Sequence, residues 1–442
     1  GAPWARPRRA RVVCPVDPTH TVWASQLENH IKRCNRTKER AKLVAQPFYS
    51  EGINAGGYVP PPAARAAGAV DWLALARRVE EKYAALVGDV PDGDPGEGQA
   101  SDVAAGERRH DAADTRHDLQ QAAILRCMRA RGLVDLRHVY LEVGAGRGTL
   151  GGAVAGHFRS RPAAEAGEAR LVFVERAPVR RKTDRMFRKP GAEKTRITQD
   201  YQNLDTFARA RIDIRDMNVA ELPQVKGASS VVMIGKHVCG GATDMSLRSM
   251  RTAVPALAER EDPLRPERSP MAGVAIAVCC HHRCTLDEYI EPAFIVSRDD
   301  ESLGLTAEEF HAITRWSSWG TGSCAAKPGD GTAAAGGRQT KRAKRAKVQE
   351  PEPGAAPGGE LEAEPEHEDA GAATRPEVEL AERYSREQRA ELGRKCKRLL
   401  DLGRVRWLRR NGFQSELVRY CDRSLTQENC LLLAWRDAAG AS

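Results

Sequence analysis

From residue 116 onward the chain alternates between helix-length segments and short apolar runs. The first helix-length segment covers residues 116–134, and five apolar runs follow it. These runs lie at residues 138–144, 169–176, 211–219, 229–240 and 273–282. Short apolar runs without polar alternation, separated by helical segments, are typical of parallel strands buried on both faces. The pattern predicts an α/β fold with a doubly wound sheet.

Three further segments have a regular pattern. Residues 70–88 carry apolar positions at helical spacing, which predicts an amphipathic helix. Residues 385–413 predict a long basic helix, whose cations either contact phosphates or form a solvated face. Residues 414–422 and 428–436 then predict an antiparallel strand pair that closes the domain.

Length, charge and cysteine use narrow the class of protein. The chain has 442 residues, enough for more than one domain, and its formal net charge of +9 favours an anionic partner. No apolar run is long enough to cross a membrane, and no signal-peptide core follows the basic N-terminus. The eleven cysteines are bunched, unlike those of a secreted disulfide scaffold. We therefore expect an intracellular protein, located in the nucleus, the cytoplasm or both.

A glycine-rich segment follows the first apolar run. It lacks the lysine of a phosphate-binding loop, and Thr149 stands where a dinucleotide motif needs glycine. It does fit E-x-G-x-G-x-G, formed by Glu142, Gly144, Gly146 and Gly148. Because glycine has no Cβ, the backbone here can approach the cofactor S-adenosylmethionine closely. The carboxylate of Glu142 can then bind the amino group of the cofactor. The alternative is a tight turn between a strand and a helix.

Two further acids favour the cofactor interpretation. Glu175 ends the second apolar run, where a carboxylate can bind both ribose hydroxyls. Asp216 lies at the predicted end of the third strand, where an acid can accept from the adenine amino group. Together with Glu142, these residues place three acids at successive strand ends and predict a crevice for S-adenosylmethionine.

A compact Cys/His unit precedes this region. Its spacing is C-x5-H-x9-H-x3-C, from Cys14, His20, His30 and Cys34. Two thiolates and two imidazoles match a closed tetrahedral Zn²⁺ site, and a unit this small needs the metal to fold. The alternative is four unrelated residues. Lysines and arginines surround the unit, which favours nucleic acid as its partner.

A second Cys/His segment, "AVCCHHRC" at residues 277–284, ends the fifth run. If this segment continues the strand, adjacent side chains point to opposite faces. Its Cys and His residues then cannot all ligate one ion. Lys236, His237 and Cys239 end the neighbouring strand and are expected to face it across the crevice. Three interpretations remain: a buried network, substrate or catalytic contacts, and a second metal site.

Taken together, these motifs resemble the eukaryotic tRNA ribose 2′-O-methyltransferases that modify the fourth nucleotide of the acceptor stem. The segments that carry the resemblance are "CPVDPTHTV…LENHIKRCN" (14–35), "RHDLQQAAIL" (116–125), "LEVGAGRG" (141–148), "FVERAPVRRKTDR" (173–185), "RIDIRDMNV" (211–219), "GKHVCGGATDMSLR" (235–248), "AVCCHHRC" (277–284), "SSWG" (317–320) and "GRKCKRLLDLGR" (393–404). The resemblance implies a Rossmann-like class I methyltransferase domain, S-adenosylmethionine as methyl donor, and tRNAs for glycine, proline and histidine as substrates. It indicates no protein partner.

The chain departs from this family's pattern at its start. Members usually carry another zinc finger, of CCCH type, before the unit at Cys14, and thirteen residues precede Cys14 here. We expect truncation or loss of that finger. Two other hypotheses remain open: a methyltransferase acting on another RNA or another acceptor, and a non-catalytic zinc-finger protein that binds RNA.

The catalytic candidates follow from the chemistry of a ribose hydroxyl, which is a very weak acid. The enzyme must remove its proton as charge develops, or stabilise the alkoxide. Lys236 is the first candidate because this class of methyltransferase presents residues to the acceptor at the end of the fourth strand. His237, His281 and His282 are its rivals.

Domain bounds complete the prediction. We expect a CHHC zinc finger at 11–36, a helical and linker segment at 47–115, a first part of the methyltransferase domain at 116–324, a disordered insert at 325–375 and the C-terminal part of that domain at 376–438.

Overall fold

The computed structural model describes residues 10–64, 70–93, 112–162, 166–177, 206–226, 228, 230–258, 271–321, 380 and 382–436. The predicted insert at 325–375 lies outside these residues. The strands are β1 Arg11–Val13, β2 Thr21–Trp23, β3 His138–Val143, β4 Arg170–Val174, β5 Phe207–Ala210, β6 Ser230–Val238, β7 Met271–Val278, β8 Gln414–Arg419 and β9 Cys430–Trp435. The helices are α1 Leu27–Arg33, α2 Asn35–Val44, α3 Trp72–Leu86, α4 Ala112–Ala130, α5 Thr149–Arg159, α6 Pro223–Lys226, α7 Gly241–Ala258, α8 Pro292–Val296, α9 Ala307–Trp316 and α10 Arg386–Arg410.

Seven strands form one mixed sheet in the order β5–β4–β3–β6–β7–β9–β8. The first five are parallel, while β9 runs antiparallel to both of its neighbours. Alternate residues of β3 enter different apolar clusters, with Val139 and Leu141 in one and Tyr140 in the other. Both faces are therefore covered, and the predicted α/β fold is confirmed.

The third strand was predicted in the wrong place. It covers Phe207–Ala210, whereas the predicted segment 211–219 contains a 3₁₀ turn at Ile214–Asp216 and leads into a second at Val219–Glu221. The side chains of Asp213 and Asn218 accept hydrogen bonds from backbone amides two residues further on, which favours turns over an extended strand. Asp216 therefore lies in a turn beyond the strand end.

The central part of α10 is buried, which neither interpretation of the basic helix predicted. Lys397, Arg398 and Arg404 are almost fully inaccessible. Lys397 pairs with Glu428 at 2.6 Å, while Arg398 and Arg404 each lie 3.1 Å from Asp401. These cations are neutralised inside the protein and are not available to a phosphate. Among the described helices, none has both the length and the apolar character needed to cross a membrane.

Candidate active site and metal centres

The N-terminal Cys/His unit brings its four predicted ligands together. The sulfur and nitrogen ligand atoms of Cys14, His20, His30 and Cys34 all lie within 4.8 Å of one another. His30 Nε2 is 2.9 Å from His20 Nε2 and 3.3 Å from Cys14 Sγ. Both cysteines are buried, and the donor set suits a tetrahedral zinc ion.

Local structure explains this convergence. The antiparallel pair β1–β2 places Cys14 and His20 on one loop, where the Cys14 amide donates to the His20 carbonyl at 3.1 Å. His30 lies in α1 and Cys34 caps its C-terminal end, so the two side chains are four residues apart. No residue of α1 is buried. The unit therefore lacks an apolar core, and the metal takes that place.

The glycine loop after β3 has the backbone conformation that its sequence predicts. Gly144, Gly146 and Gly148 have φ angles of 58°, 49° and 76°, which side chains with a Cβ rarely adopt. A Cβ on Gly148 would lie 2.3 Å from an atom of the Phe173 ring. A Cβ on Gly146 would contact nothing within 4 Å. At Gly146 the loop therefore presents bare backbone to open space, a shape that is compatible with a bound cofactor.

The three predicted acids all accept backbone hydrogen bonds. Glu142 is buried, its Oε2 accepts from Gly151 N at 2.8 Å, and burial raises its pKa to about 7. Glu175 Oε2 accepts from Gly146 N at 3.0 Å and so adjoins the loop. The side chain of Asp216 contacts a different segment, since its Oδ1 accepts from Gly52 N at 2.8 Å.

Arg209 is a contributor to the loop that the sequence analysis missed. Its Nη1 donates to the Gly146 carbonyl at 2.9 Å, and its guanidinium lies 4.9 Å from the Phe173 ring centroid. The residue is buried within β5. An arginine inside the short apolar segment "FARA" was the available signal, because a buried arginine in a strand needs specific partners.

A β-bulge at the end of β6 determines the orientation of two catalytic candidates, Lys236 and His237. Gly235 pairs with Ile276 and Val238 pairs with Val278, so Lys236 and His237 together oppose a single residue of β7. His237 is exposed, whereas Lys236 is buried. The bulge therefore sends two consecutive side chains into different environments.

Lys236 occupies a polar but desolvated position. Its Nζ lies 3.1 Å from Nδ1 of His117, which belongs to α4. Burial lowers the pKa of Lys236 below its usual value of 10.5. The strand end also contacts the glycine loop, because a Cβ on Gly144 would lie 3.3 Å from the His237 carbonyl oxygen. His117 was part of a recognised motif, but the sequence did not indicate its contact with Lys236.

The second Cys/His segment divides into two groups. Strand β7 ends at Val278, so the strand alternation assumed for Cys279 and Cys280 does not apply to them. Both sulfurs lie within 4.8 Å of each other and of Cys239 Sγ, and Cys239 Sγ is 3.4 Å from Cys279 Sγ. The hydrogen bond from Cys279 lowers the pKa of Cys239 to about 6 and raises that of Cys279.

His281 and Cys284 belong to a buried ionic network. His281 Nε2 lies 2.6 Å from Asp401, and burial lowers the pKa of the imidazole. Arg404 lies 2.7 Å from Asp244 and 3.2 Å from Cys284 Sγ. His281 is only 2% exposed, which leaves it no access to a substrate, so the buried-network interpretation describes this group.

The fourth catalytic candidate, His282, is exposed on the short 3₁₀ helix His281–Arg283. Its side chain lies outside the buried network that holds its neighbour His281. Of the four candidates, Lys236 and His237 are the two whose strand end contacts the glycine loop. The geometry therefore favours these two residues over the histidines of the second segment.

Comparison with known proteins gives two family matches. The family model described as Methyltransferase TRM13 matches residues 119–435. A second, described as U11-48K-like CHHC zinc finger, matches residues 11–35. No solved structure matches the chain.

Full-length relatives agree with these matches. A human protein named tRNA:m(4)X modification enzyme TRM13 homolog is 29% identical over 98% of this chain and 88% of its own length. The mouse protein of the same name is 30% identical over 96% of the chain and 86% of its own length. A protein of Yarrowia lipolytica named tRNA:m(4)X modification enzyme TRM13 is 28% identical, with coverage of 96% and 81%.

Proposed function

Because the chain belongs to the TRM13 methyltransferase family, we propose that it methylates the ribose 2′-hydroxyl of nucleotide 4 in the acceptor stem of tRNAs. S-adenosylmethionine is the methyl donor, and tRNAs of the glycine, proline and histidine type are the substrates. The relatives' names, which describe tRNA modification enzymes, support tRNA as the substrate. The order β5–β4–β3–β6–β7 supports a Rossmann-like class I domain, since it corresponds to the doubly wound order 3-2-1-4-5.

The proposed cofactor site is the crevice beside the glycine loop. S-adenosylmethionine supplies a methyl group on a sulfonium, whose thioether is a good leaving group. The open backbone at Gly146 would accommodate the cofactor. The carboxylate of Glu175 uses two of its acceptor positions on the amides of Gly146 and Ala177, and keeps others for ribose hydroxyls. Glu142 and Asp216 are the proposed partners of the amino group and the adenine.

Lys236 is the residue that we propose to activate the hydroxyl. The observation that carries this proposal is its buried position in the β6 bulge, at a strand end that contacts the glycine loop. Desolvation lowers its pKa, which increases the fraction of neutral amine able to accept the proton. The neighbouring His117 can exchange hydrogen bonds with the amine and orient it.

The zinc finger is the proposed contact with the RNA backbone. Lys32, Arg33 and Lys38 are exposed around the metal site. Cations of this kind bind phosphates without reading sequence, and they position a nucleic acid. We therefore expect the finger to add affinity for tRNA while the crevice determines the site of methylation.

The test uses the full chain, labelled S-adenosylmethionine and unmodified transcripts of tRNAs for glycine and histidine, with an unrelated tRNA as control. Resistance to alkaline cleavage maps the modified ribose. We expect label at nucleotide 4 of the cognate tRNAs alone. Label on another nucleotide or on a base would contradict the proposed acceptor. Cofactor binding without any methylation would favour the non-catalytic hypothesis.

The role of Lys236 has its own measurement. Lys236→Met is expected to lower kcat by about 10²–10⁴-fold, the usual contribution of general acid–base catalysis. His237→Ala, its neighbour in the bulge, is the matched comparison and is expected to lose less. The wild-type rate should rise with pH and level off below pH 10.5, because deprotonated lysine is the active form. A rate rise that persists unchanged in Lys236→Met would assign the proton acceptor elsewhere.

A further inference from the structure

Cys239, Cys279 and Cys280 are a cluster that the proposed methyl transfer does not use. Their three sulfurs lie within 4.8 Å of one another although the first cysteine is 40 positions from the second. Cys239 follows the end of β6, and the other two follow the end of β7. The sulfurs therefore meet where two neighbouring parallel strands end at the same edge of the sheet.

We propose that this trio binds one thiophilic metal ion, with zinc as the expected occupant. Thiolates are strong ligands for zinc, and three protein ligands with one open position form a recognised class of zinc site. Cys279 is buried, while Cys239 and Cys280 are half-buried. The site is thus closed on the protein side and open toward solvent, where water or another ligand completes the coordination.

The number of sulfurs favours a metal over a disulfide. A disulfide uses two sulfurs, and either pairing with Cys239 would leave the third thiol at the same point without a function. A metal ion engages all three. The main chain supports their convergence, because β7 ends before Cys279 and so frees both cysteines from strand alternation.

The metal would connect the two strand ends immediately beyond the β6 bulge. Val238 and Val278 form the last pair between the strands, and Cys239 and Cys279 are the next residue on each. A shared ion at this point would hold the bulge in register, and with it the side chain of Lys236. This inference concerns metal content and does not rest on the identity of the methyl acceptor.

The experiment measures zinc per chain in the 442-residue protein, purified under reducing conditions without chelator. Two ions are expected in the wild type, one in the finger and one in the trio. Cys279→Ser and Cys14→Ser should each lose one of the two, and the double variant should lose both. Cys421→Ser, a half-buried cysteine outside both clusters, is the matched control and should keep both.

A second readout does not depend on altering the trio, in case those variants fail to fold. The Cys14→Ser/Cys34→Ser protein, whose finger keeps no thiol ligand, is loaded with Co²⁺, and thiolate-to-cobalt charge-transfer absorption is then expected from Cys239, Cys279 and Cys280. One zinc ion in the wild type and no such absorption in Cys14→Ser/Cys34→Ser would overturn the proposal. So would a second ion that Cys239→Ser and Cys279→Ser both retain, or a Cys239–Cys279 disulfide found by alkylating protein prepared without reductant.

Discussion

The two Cys/His-rich segments of this chain have similar compositions but different organisation. In the finger, all four residues converge on one point, and α1 buries no side chain. In segment 279–284, two cysteines join Cys239 while His281 and Cys284 enter an ionic network with α10. The finger is organised by spacing along the chain, whereas the second segment is divided by its neighbours in the fold. Composition alone therefore does not determine the role of a Cys/His segment.

Among changes to the two segments, loss of the finger's metal is expected to have the largest effect on folding stability. Zinc contributes about 10–16 kcal/mol of apparent free energy to isolated zinc fingers. Cys14→Ser should therefore unfold residues 11–36, seen as rapid amide hydrogen exchange in that segment. The sheet should keep its protection. Slow amide exchange in the β1–β2 pair without zinc would show that the finger folds without its metal, which contradicts its proposed dependence on zinc.

Disrupting the ionic network around α10 should cause the next largest loss of stability. Asp401 is fully buried, and the hydrogen bond from His281 together with the guanidinium charges of Arg404 and Arg398 holds its pKa below its usual range. Asp401→Asn removes the acid that pairs with Arg398 and one of the two acids that pair with Arg404, and we expect the free energy of unfolding to fall by about 3–5 kcal/mol. Denaturant-induced unfolding measures this change.

The matched control for Asp401→Asn is Glu301→Gln. Glu301 forms an exposed pair with Arg406 at 2.9 Å, and the substitution removes the same charge. An exposed pair contributes about 0–1 kcal/mol, so little change is expected. Equal effects at the two sites would contradict the distinction between a buried network and a surface pair.

The smallest expected difference in stability is between alanine variants of the consecutive histidines His281 and His282. His281→Ala removes a hydrogen bond to a buried carboxylate, which costs about 1.5–3 kcal/mol. His282→Ala alters an exposed side chain, and such changes usually stay within about 0.5 kcal/mol. Thermal unfolding of the two variants measures the difference. A larger loss of stability in His282→Ala than in His281→Ala would contradict the assignment of His281 to the ionic network.

The sequence predicted those features that depend on local pattern. Four of the five parallel strands overlap their predicted apolar runs, and the finger's ligands follow from their spacing alone. The prediction of the third strand failed because "RIDI" has more strand-like residues than "FARA". Arg209 is accommodated in β5 by partners that include the Phe173 ring and the Gly146 carbonyl. Such long-range partners have no signature in the sequence of the strand itself.

The candidate site was only partly predictable for the same reason. The sequence indicated Lys236 and the glycine loop, but the bulge depends on the register between β6 and β7. The convergence of Cys239 with Cys279 and Cys280 depends on where β7 ends. The cations of α10 were expected at the surface, because the acids that neutralise them lie elsewhere in the chain or on the helix's own buried face.

The position of β9 has a consequence for how the protein is made. β9 pairs with β7, although the ribosome produces it long after β7 has been synthesised. At about 5–20 residues per second, the edge of β7 waits roughly 8–30 s for its partner. An open apolar strand edge is a template for mispairing with other chains. The nascent chain therefore passes through a period of aggregation risk, which ends only when β9 leaves the ribosome and pairs with β7.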